Sequence, residues 1–172
     1  MLSGHYILGA EVEAFEKEFA EWRGVSAAVG LANGTEALEL ALRATGIGPG
    51  DKVVTVANTV TATVAAISAT GAKPVFVDTE PGTMLMDLDA VETLLTKMRD
   101  PRIKAVVPVH LYGQPVNMPR LMQLAEEHRL IVVEDSAQAH GSIVSGRKAG
   151  AWGHLAAFSF YPTKNLGAFG DA

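Results

Sequence analysis

The sequence predicts an α/β fold with a mainly parallel sheet and helices on both of its faces. Segments with the periodicity of amphipathic helices alternate along the chain with short apolar runs. These runs are continuously hydrophobic, which is typical of strands buried on both faces of a parallel sheet. The helices between them supply the right-handed crossovers that parallel neighbours require. With 48% hydrophobic residues, the 172-residue chain can bury a sizeable core, and we expect one domain over residues 1–172.

The elements follow one another in a regular order. Apolar residues at helical spacing predict helices at Gly9 to Arg23, Ala37 to Leu42, Ala62 to Ala69, Leu88 to Met98 and Met118 to His128. Continuous apolar runs predict strands at Lys52 to Val56, Pro74 to Val77, Ile103 to Val109, Leu130 to Val133 and Leu155 to Phe160. Glycine-rich turns separate several of them, as at Gly46 to Asp51, and Arg147 with Lys148 falls in a hairpin-like turn.

Composition excludes several kinds of function. The chain has 14 basic and 19 acidic residues, a net charge of -5, so we expect no nucleic-acid partner. It has no cysteine, which excludes disulfides, thiolate metal sites and thiol nucleophiles, and we expect no metal in the site. No signal peptide and no apolar run of membrane-spanning length is found, so we expect a soluble cytoplasmic protein that does not bind a membrane.

Lys164 follows an apolar aromatic run, Phe158 to Tyr161, and lies in a turn rich in glycine. A lysine held beside aromatic rings is partly desolvated, which favours the neutral amine that attacks carbonyl groups. Taken alone, the stretch favours an ordinary surface lysine over a catalytic one, so other polar clusters must support a catalytic role for Lys164.

Two such clusters lie upstream. Asn33-Gly34-Thr35 opens a helix, where backbone N–H groups and a hydroxyl can hold a phosphate, although Asn and Thr are also common N-cap residues. Glu134 and Asp135 end a buried strand, where an unpaired carboxylate is costly, so we expect at least one of them to face a cation or several donors. A helix N-cap pair is the alternative for these two acids.

One ligand uses all of these features. Pyridoxal 5'-phosphate has an aldehyde that a lysine can bond, a ring nitrogen that a carboxylate keeps protonated, and a phosphate for N–H and hydroxyl donors. A flavodoxin-like or Rossmann nucleotide-binding domain also fits the alternation of strands and helices. That alternative leaves Lys164 and the Glu134-Asp135 pair unexplained, and no Gly-x-Gly-x-x-Gly follows the first strand.

Five segments stand in an order that carries a family resemblance: Asn33-Gly34-Thr35-Glu36-Ala37-Leu38, Gly48-Pro49-Gly50-Asp51, Val109 to Gln114, Glu134 to Gly141, and Phe158 to Gly167. From about Tyr6 to the last residue, the chain resembles the nucleotide-sugar aminotransferases of the DegT/DnrJ/EryC1/StrS family. The resemblance implies that residues 1–172 are the N-terminal part of the large cofactor-binding domain of a fold-type-I transferase dependent on pyridoxal phosphate, a truncated domain without the C-terminal small domain.

Residue by residue, the resemblance makes Lys164 the lysine bonded to the cofactor and Asp135 the partner of the ring nitrogen. It places Gln138 near the cofactor's ring oxygen. Gly34, Thr35 and Ser159 would hold the phosphate. Asn58, with Val60, flanks Thr59 where the family usually places an aromatic or histidine ring over the cofactor, so Asn58 is a further expected cofactor contact.

The family reaction, by resemblance, is amino transfer from L-glutamate to a keto sugar on a nucleoside diphosphate, most similar here to dTDP-3-keto-6-deoxyhexoses of deoxyaminosugar biosynthesis. Family members are homodimers with a smaller C-terminal domain. The chain stops directly after the lysine turn without a closing helix or polar tail, so we expect the first half of a longer enzyme, inactive alone. The alternative is a non-catalytic fragment or a cofactor-binding module without transferase activity.

Overall fold

The structure is a computed structural model that describes residues 9–172, so residues 1–8 of the predicted domain lie outside the described part. The chain divides into two compact units, and the boundary falls between Leu31 and Ala32. Of the described helices, none is long and apolar enough to cross a membrane.

The first unit contains helix α1, Ala10–Arg23. Its aromatic side chains stack along one side, with 5.5 Å between the ring centroids of Phe15 and Phe19 and 5.8 Å between those of Phe19 and Trp22. The Arg23 guanidinium lies 4.9 Å from the centroid of the Trp22 ring, a cation–π contact. Gly24 ends the helix at φ 76°, a left-handed conformation that glycine adopts without strain.

The second unit contains the other elements. Its helices are α2 (Gly34–Ala44), α3 (Thr61–Ala69), α4 (Leu88–Met98) and α5 (Met118–His128), with a short 3-10 turn at Leu111–Gly113. Its strands are β1 (Lys52–Val56), β2 (Lys73–Val77), β3 (Ile103–Val106), β4 (Ile131–Asp135), β5 (Ile143–Val144), β6 (Arg147–Lys148) and β7 (Leu155–Ala157).

Five strands form one parallel sheet in the order β2-β1-β3-β4-β7. Strands β5 and β6 form a separate antiparallel hairpin. Because every pair in the large sheet is parallel, all five carboxyl ends meet at the same edge, the usual location of a ligand site in such sheets. The predicted α/β class with a mainly parallel sheet is confirmed.

Helices cover the sheet in two layers. One face is buried by α4 and α5 through Val91, Leu95, Met118 and Leu121, all inaccessible or nearly so. The other face is buried by α2 and α3 through Leu38, Leu42, Ala66 and Ile67. In the central strands β1 and β3, Val53, Val54, Ala105 and Val106 are inaccessible to solvent, which explains the apolar character of those strands.

Four of the five predicted strands have different bounds in the structure: β2 begins one residue earlier, at Lys73, and β3, β4 and β7 differ for the following reasons. Strand β3 ends at Val106 rather than at residue 109, because Pro108 has no N–H for the ladder. Leu130 belongs to the end of α5, since its N–H bonds to the Ala125 carbonyl, and β4 instead runs on through Asp135. Strand β7 ends at Ala157 because its partner β4 ends opposite it, so 158–160 continue outside the sheet.

Candidate active site

A cavity of about 670 Å³ opens at the carboxyl edge of the sheet. This volume falls within the roughly 300–1,000 Å³ of small-molecule sites. Its wall is built from the N-terminus of α2, the turn between β1 and α3, and the segments after β3, β4 and β7. Besides Gly34, the wall includes these residues with polar side chains: Asn33, Thr35, Glu36, Glu39, Thr59, Thr63, His110, Asp135, Gln138, Ser159, Tyr161, Lys164 and Asp171.

The N-terminus of α2 lies against Ser159. A Cβ added to Gly34 would be 2.9 Å from the Ser159 Cβ and 3.3 Å from the Phe158 carbonyl oxygen, so only glycine permits this approach. Asn33 caps the helix, and its Oδ1 accepts the Glu36 N–H at 3.0 Å. Within the described chain, no partner is found for the N–H groups of Gly34 and Thr35, which makes them donors for an anion beside the Ser159 hydroxyl.

Asp135 is the buried acid of the cavity. Its Oδ2 accepts the Thr63 hydroxyl at 2.7 Å and its Oδ1 accepts the Ala137 N–H at 3.2 Å. Burial raises the pKa of Asp135, while the hydrogen bonds from Thr63 and Ala137 act in the opposite direction. One donor at each oxygen leaves lone pairs for a further N–H, and a cation there would favour the ionised carboxylate.

Lys164 reaches the same cavity from the turn that follows β7. Its backbone N–H bonds to the Tyr161 carbonyl at 2.8 Å, and the side chain is half-buried on the cavity wall. Its positive charge lies close enough to Asp135 to lower the pKa of that acid, against the larger effect of burial. The structure therefore brings together an amine and an acid that are 29 positions apart in sequence.

Gln138 is oriented by a strained turn. Its Oε1 accepts the Tyr112 N–H at 2.6 Å, and Tyr112 has a φ of 54°, an uncommon conformation for a residue other than glycine. Since the amide oxygen is occupied, the Gln138 NH₂ group is the part that can donate to a ligand. From this position on the cavity wall, the Gln138 NH₂ group can donate a hydrogen bond to an oxygen substituent on the ring of a bound ligand.

Glu134 lies next to Asp135 but faces away from the cavity and is wholly buried. Its Oε1 accepts the N–H groups of Trp152 and Gly153 at 2.8 and 2.6 Å. Its Oε2 accepts the Gly150 N–H at 2.6 Å and bonds the His110 Nε2 at 2.9 Å. Burial by itself would raise the pKa of Glu134, but these hydrogen bonds outweigh it and lower the pKa.

The His110 ring is wholly buried and bonded at both nitrogens. Its Nδ1 accepts the Val116 N–H at 3.2 Å, so the ring proton is on Nε2, which donates to Glu134. Glu134 and His110 thus connect the segments after β3 and β6 to the end of β4. Glu134 therefore faces several donors, as we expected of at least one of the two acids, and it is not a helix N-cap.

Six of the predicted site residues line this one cavity: Gly34, Thr35, Asp135, Gln138, Ser159 and Lys164. Asn58 does not, because its Nδ2 donates to the Met84 carbonyl at 3.1 Å and its side chain is turned away from the wall. Two residues that we did not predict, Thr63 and His110, bond to the two acids. The four-residue spacing of Thr59 and Thr63 across the start of α3, which allows the two hydroxyls to meet, is the sequence signal that could have indicated Thr63.

A parallel α/β domain whose strand ends bring a lysine, a buried acid and an anion cradle into one cavity has the features of a cofactor-dependent group-transfer enzyme. The chain belongs to the DegT/DnrJ/EryC1/StrS aminotransferase family, whose family model matches residues 1–172.

Two relatives are similar over nearly the whole chain. The dTDP-3-amino-3,4,6-trideoxy-alpha-D-glucose transaminase of Micromonospora megalomicea subsp. nigra is 54% identical over 169 residues, 98% of this chain and 44% of that protein. The crystal structure of DesV from S. venezuelae superposes with a TM-score of 0.93 at 50% identity, covering 98% of this chain and 44% of DesV. The chain thus spans less than half the length of these relatives.

The structure of ntda from Bacillus subtilis with bound cofactor PMP is more distant. It superposes with a TM-score of 0.86 at 34% identity, and the match covers 95% of this chain and 36% of ntda.

Proposed function

We propose that the protein containing this chain transfers an amino group from L-glutamate to a keto sugar carried on a nucleoside diphosphate, with pyridoxal phosphate as cofactor. The sugar nucleotide is a dTDP-3-keto-6-deoxyhexose, and the reaction belongs to deoxyaminosugar biosynthesis. The observation that carries the proposal is the convergence of Lys164, Asp135 and the Gly34-Ser159 contact on one cavity. These groups match the aldehyde, the ring nitrogen and the phosphate of that cofactor.

The residues present fit the cofactor. The close approach of Gly34 to Ser159 leaves no room for a side chain and brings helix N–H groups beside a hydroxyl, which suits a phosphate. Asp135 is buried with one donor on each oxygen, which suits a protonated ring nitrogen as the third partner. The Gln138 amide can donate to the ring oxygen.

When bound, pyridoxal phosphate supplies a ring that accepts the electron pair left at the donor's α-carbon. Asp135 keeps the ring nitrogen protonated by its negative charge. Lys164 Nζ would hold the aldehyde and, once freed by the amino donor, would take the proton from the donor's α-carbon as a general base and deliver it as a general acid to C4′, the cofactor carbon that bore the aldehyde. The half-buried position of Lys164 keeps its amine within reach of both tasks.

The substrate assignment draws on the relatives. The Micromonospora relative is a dTDP-3-amino-3,4,6-trideoxy-alpha-D-glucose transaminase, which supports a dTDP-linked sugar and amination at C3. Since the chain spans 44% of that relative, residues outside it would complete the sugar-nucleotide pocket. We further propose a homodimer, in which the partner subunit contributes to the site.

The test is to label the cofactor lysine in the complete protein. After incubation with pyridoxal phosphate and reduction with borohydride, peptide mapping should place the pyridoxyl group on Lys164. Lys164→Ala should abolish both the label and the L-glutamate-dependent amination of a dTDP-keto sugar. Lys104→Ala, on the exposed side of β3, is the matched control and should retain both.

A label on Lys104 or Lys148 would overturn the assignment of Lys164. A label on Lys164 without amination of any keto sugar would overturn the transferase activity and favour a cofactor-binding module.

A further inference from the structure

Two threonine hydroxyls connect the cavity wall to the buried acid. Thr63, on the first turn of α3, is 1% exposed, and its Oγ1 lies 2.7 Å from the Asp135 Oδ2. Thr59, four residues earlier and half-buried on the cavity wall, places its Oγ1 2.8 Å from the Thr63 Oγ1. The chain of hydrogen bonds therefore runs from the cavity to the carboxylate through two side chains of α3 and the turn before it.

The direction of these hydrogen bonds follows from the number of protons. An ionised carboxylate only accepts, so Thr63 must donate its single hydroxyl proton to Asp135. In the hydrogen bond between the two threonines, Thr59 is then the donor and the Thr63 Oγ1 is the acceptor. Thr59 has no second proton to give, and its oxygen can only accept from a ligand in the cavity.

We propose that Thr63 is a positioning residue of the proposed transaminase, which acts through Asp135 to hold that carboxylate oriented for the cofactor's ring nitrogen. The inference rests on the proposed function. It goes beyond it because the Thr63 hydroxyl, although on the cavity wall, is used by Asp135 and Thr59, so Thr63 acts on the cofactor's ring nitrogen only through Asp135.

The physical reason is the cost of an ionised carboxylate in a buried position. The cationic or titratable groups that act on Asp135 are Lys164, on the cavity wall, and the buried His110. Thr63 provides the shortest hydrogen bond to the acid, at 2.7 Å against 3.2 Å for the Ala137 N–H. A hydrogen bond to a charged group contributes more than one between neutral groups, and only the charged acid attracts a protonated ring nitrogen.

The experiment uses Thr63→Val, which removes the hydroxyl and preserves the shape of the side chain. Equilibrium binding to the complete protein is measured with two probes, pyridoxal phosphate and its 1-deaza analogue, in which a carbon replaces the ring nitrogen. We expect Thr63→Val to weaken pyridoxal phosphate binding on the order of tenfold or more, from the energy of a hydrogen bond to a charged group. Binding of the 1-deaza analogue should be unchanged, since it has no ring nitrogen for Asp135.

Thr63→Ser retains the hydroxyl and should restore the affinity for pyridoxal phosphate. Thr96→Val is the matched control, because the Thr96 hydroxyl bonds the Glu92 carbonyl within α4, and it should change neither affinity. If the valine variant fails to fold, Thr63→Ala provides the same comparison between the two probes.

Equal losses of affinity for both probes would overturn the inference, because they would indicate general damage to the cavity. Unchanged binding of pyridoxal phosphate by Thr63→Val would overturn it as well. Failure of the unchanged protein to bind pyridoxal phosphate would instead overturn the proposed function, and the inference with it.

Discussion

Replacement of Glu134 by glutamine should destabilise the protein severely although it changes one atom. The Glu134 carboxylate accepts three backbone N–H groups and the His110 Nε2–H, two donors at each oxygen. A glutamine amide can accept at only one oxygen, and it turns two N–H bonds of its own toward the donors at the other position.

The expected loss follows from those contacts. At least two N–H groups lose their acceptor, each at a cost of about 1–3 kcal/mol in a buried position. We therefore expect Glu134→Gln to lower the free energy of unfolding by about 2–6 kcal/mol at pH 7.

The difference should also depend on pH. The hydrogen bonds place the pKa of Glu134 below its ordinary value of 4.5. Its stabilisation is therefore complete above that value and is lost as the pH falls through the lower pKa of the folded state. The difference in the free energy of unfolding between the unchanged protein and Glu134→Gln should become smaller only below pH 4.5.

Urea denaturation followed by circular dichroism measures both effects. Glu126→Gln, at an exposed position on α5, is the control and should change the free energy by less than about 0.5 kcal/mol. A loss below about 1 kcal/mol for Glu134→Gln would refute the four-donor argument, since that is the size of one ordinary hydrogen bond.

Two further predictions concern the cofactor cradle and the cavity acid. Gly34→Ala adds a Cβ 2.9 Å from the Ser159 Cβ and should weaken pyridoxal phosphate binding on the order of tenfold in an equilibrium titration. Gly82→Ala, at a position with open space around it, is the control. If both variants bound pyridoxal phosphate with the same affinity, the phosphate site between Gly34 and Ser159 would be contradicted. Asp135→Asn should lower kcat about a hundredfold or more in a glutamate-dependent amination assay. A near-normal kcat would contradict this role of Asp135.

The boundaries of two helices were fully predictable because apolar periodicity and capping residues are local signals. Helices α4 and α5 begin and end where the sequence predicts, with Asp87 and Asn117 accepting N–H bonds at their first turns. The strand ends were less predictable, since they depend on partners elsewhere in the chain. Strand β7 ends where β4 does, a fact of pairing that residues 158–160 do not reveal, because their aromatic character fits a strand equally well.

The residues that line the cavity were mostly predictable, because each lies at the end of an apolar run and the resemblance connects them. The supporting hydrogen bonds were not. Glu134 is held mainly by backbone N–H groups, which every residue type except proline supplies, so the sequence around Gly150 to Gly153 carries no mark of the contact. Asn58 was misplaced because the side chain bonds a distant carbonyl, that of Met84.

The short strand β7 has a consequence for the local stability of the site. It contributes three residues to the sheet and, among the residues described, pairs with β4 alone. The polypeptide that follows it delivers Ser159 and Lys164, so opening of this one strand would dismantle the cavity while the remaining strands stay folded. A phosphate held between the first turn of α2 and Ser159 would tie the strand back to the body of the sheet. Binding of a phosphate at the site and pairing of β7 with the sheet would then be coupled, so that each favours the other.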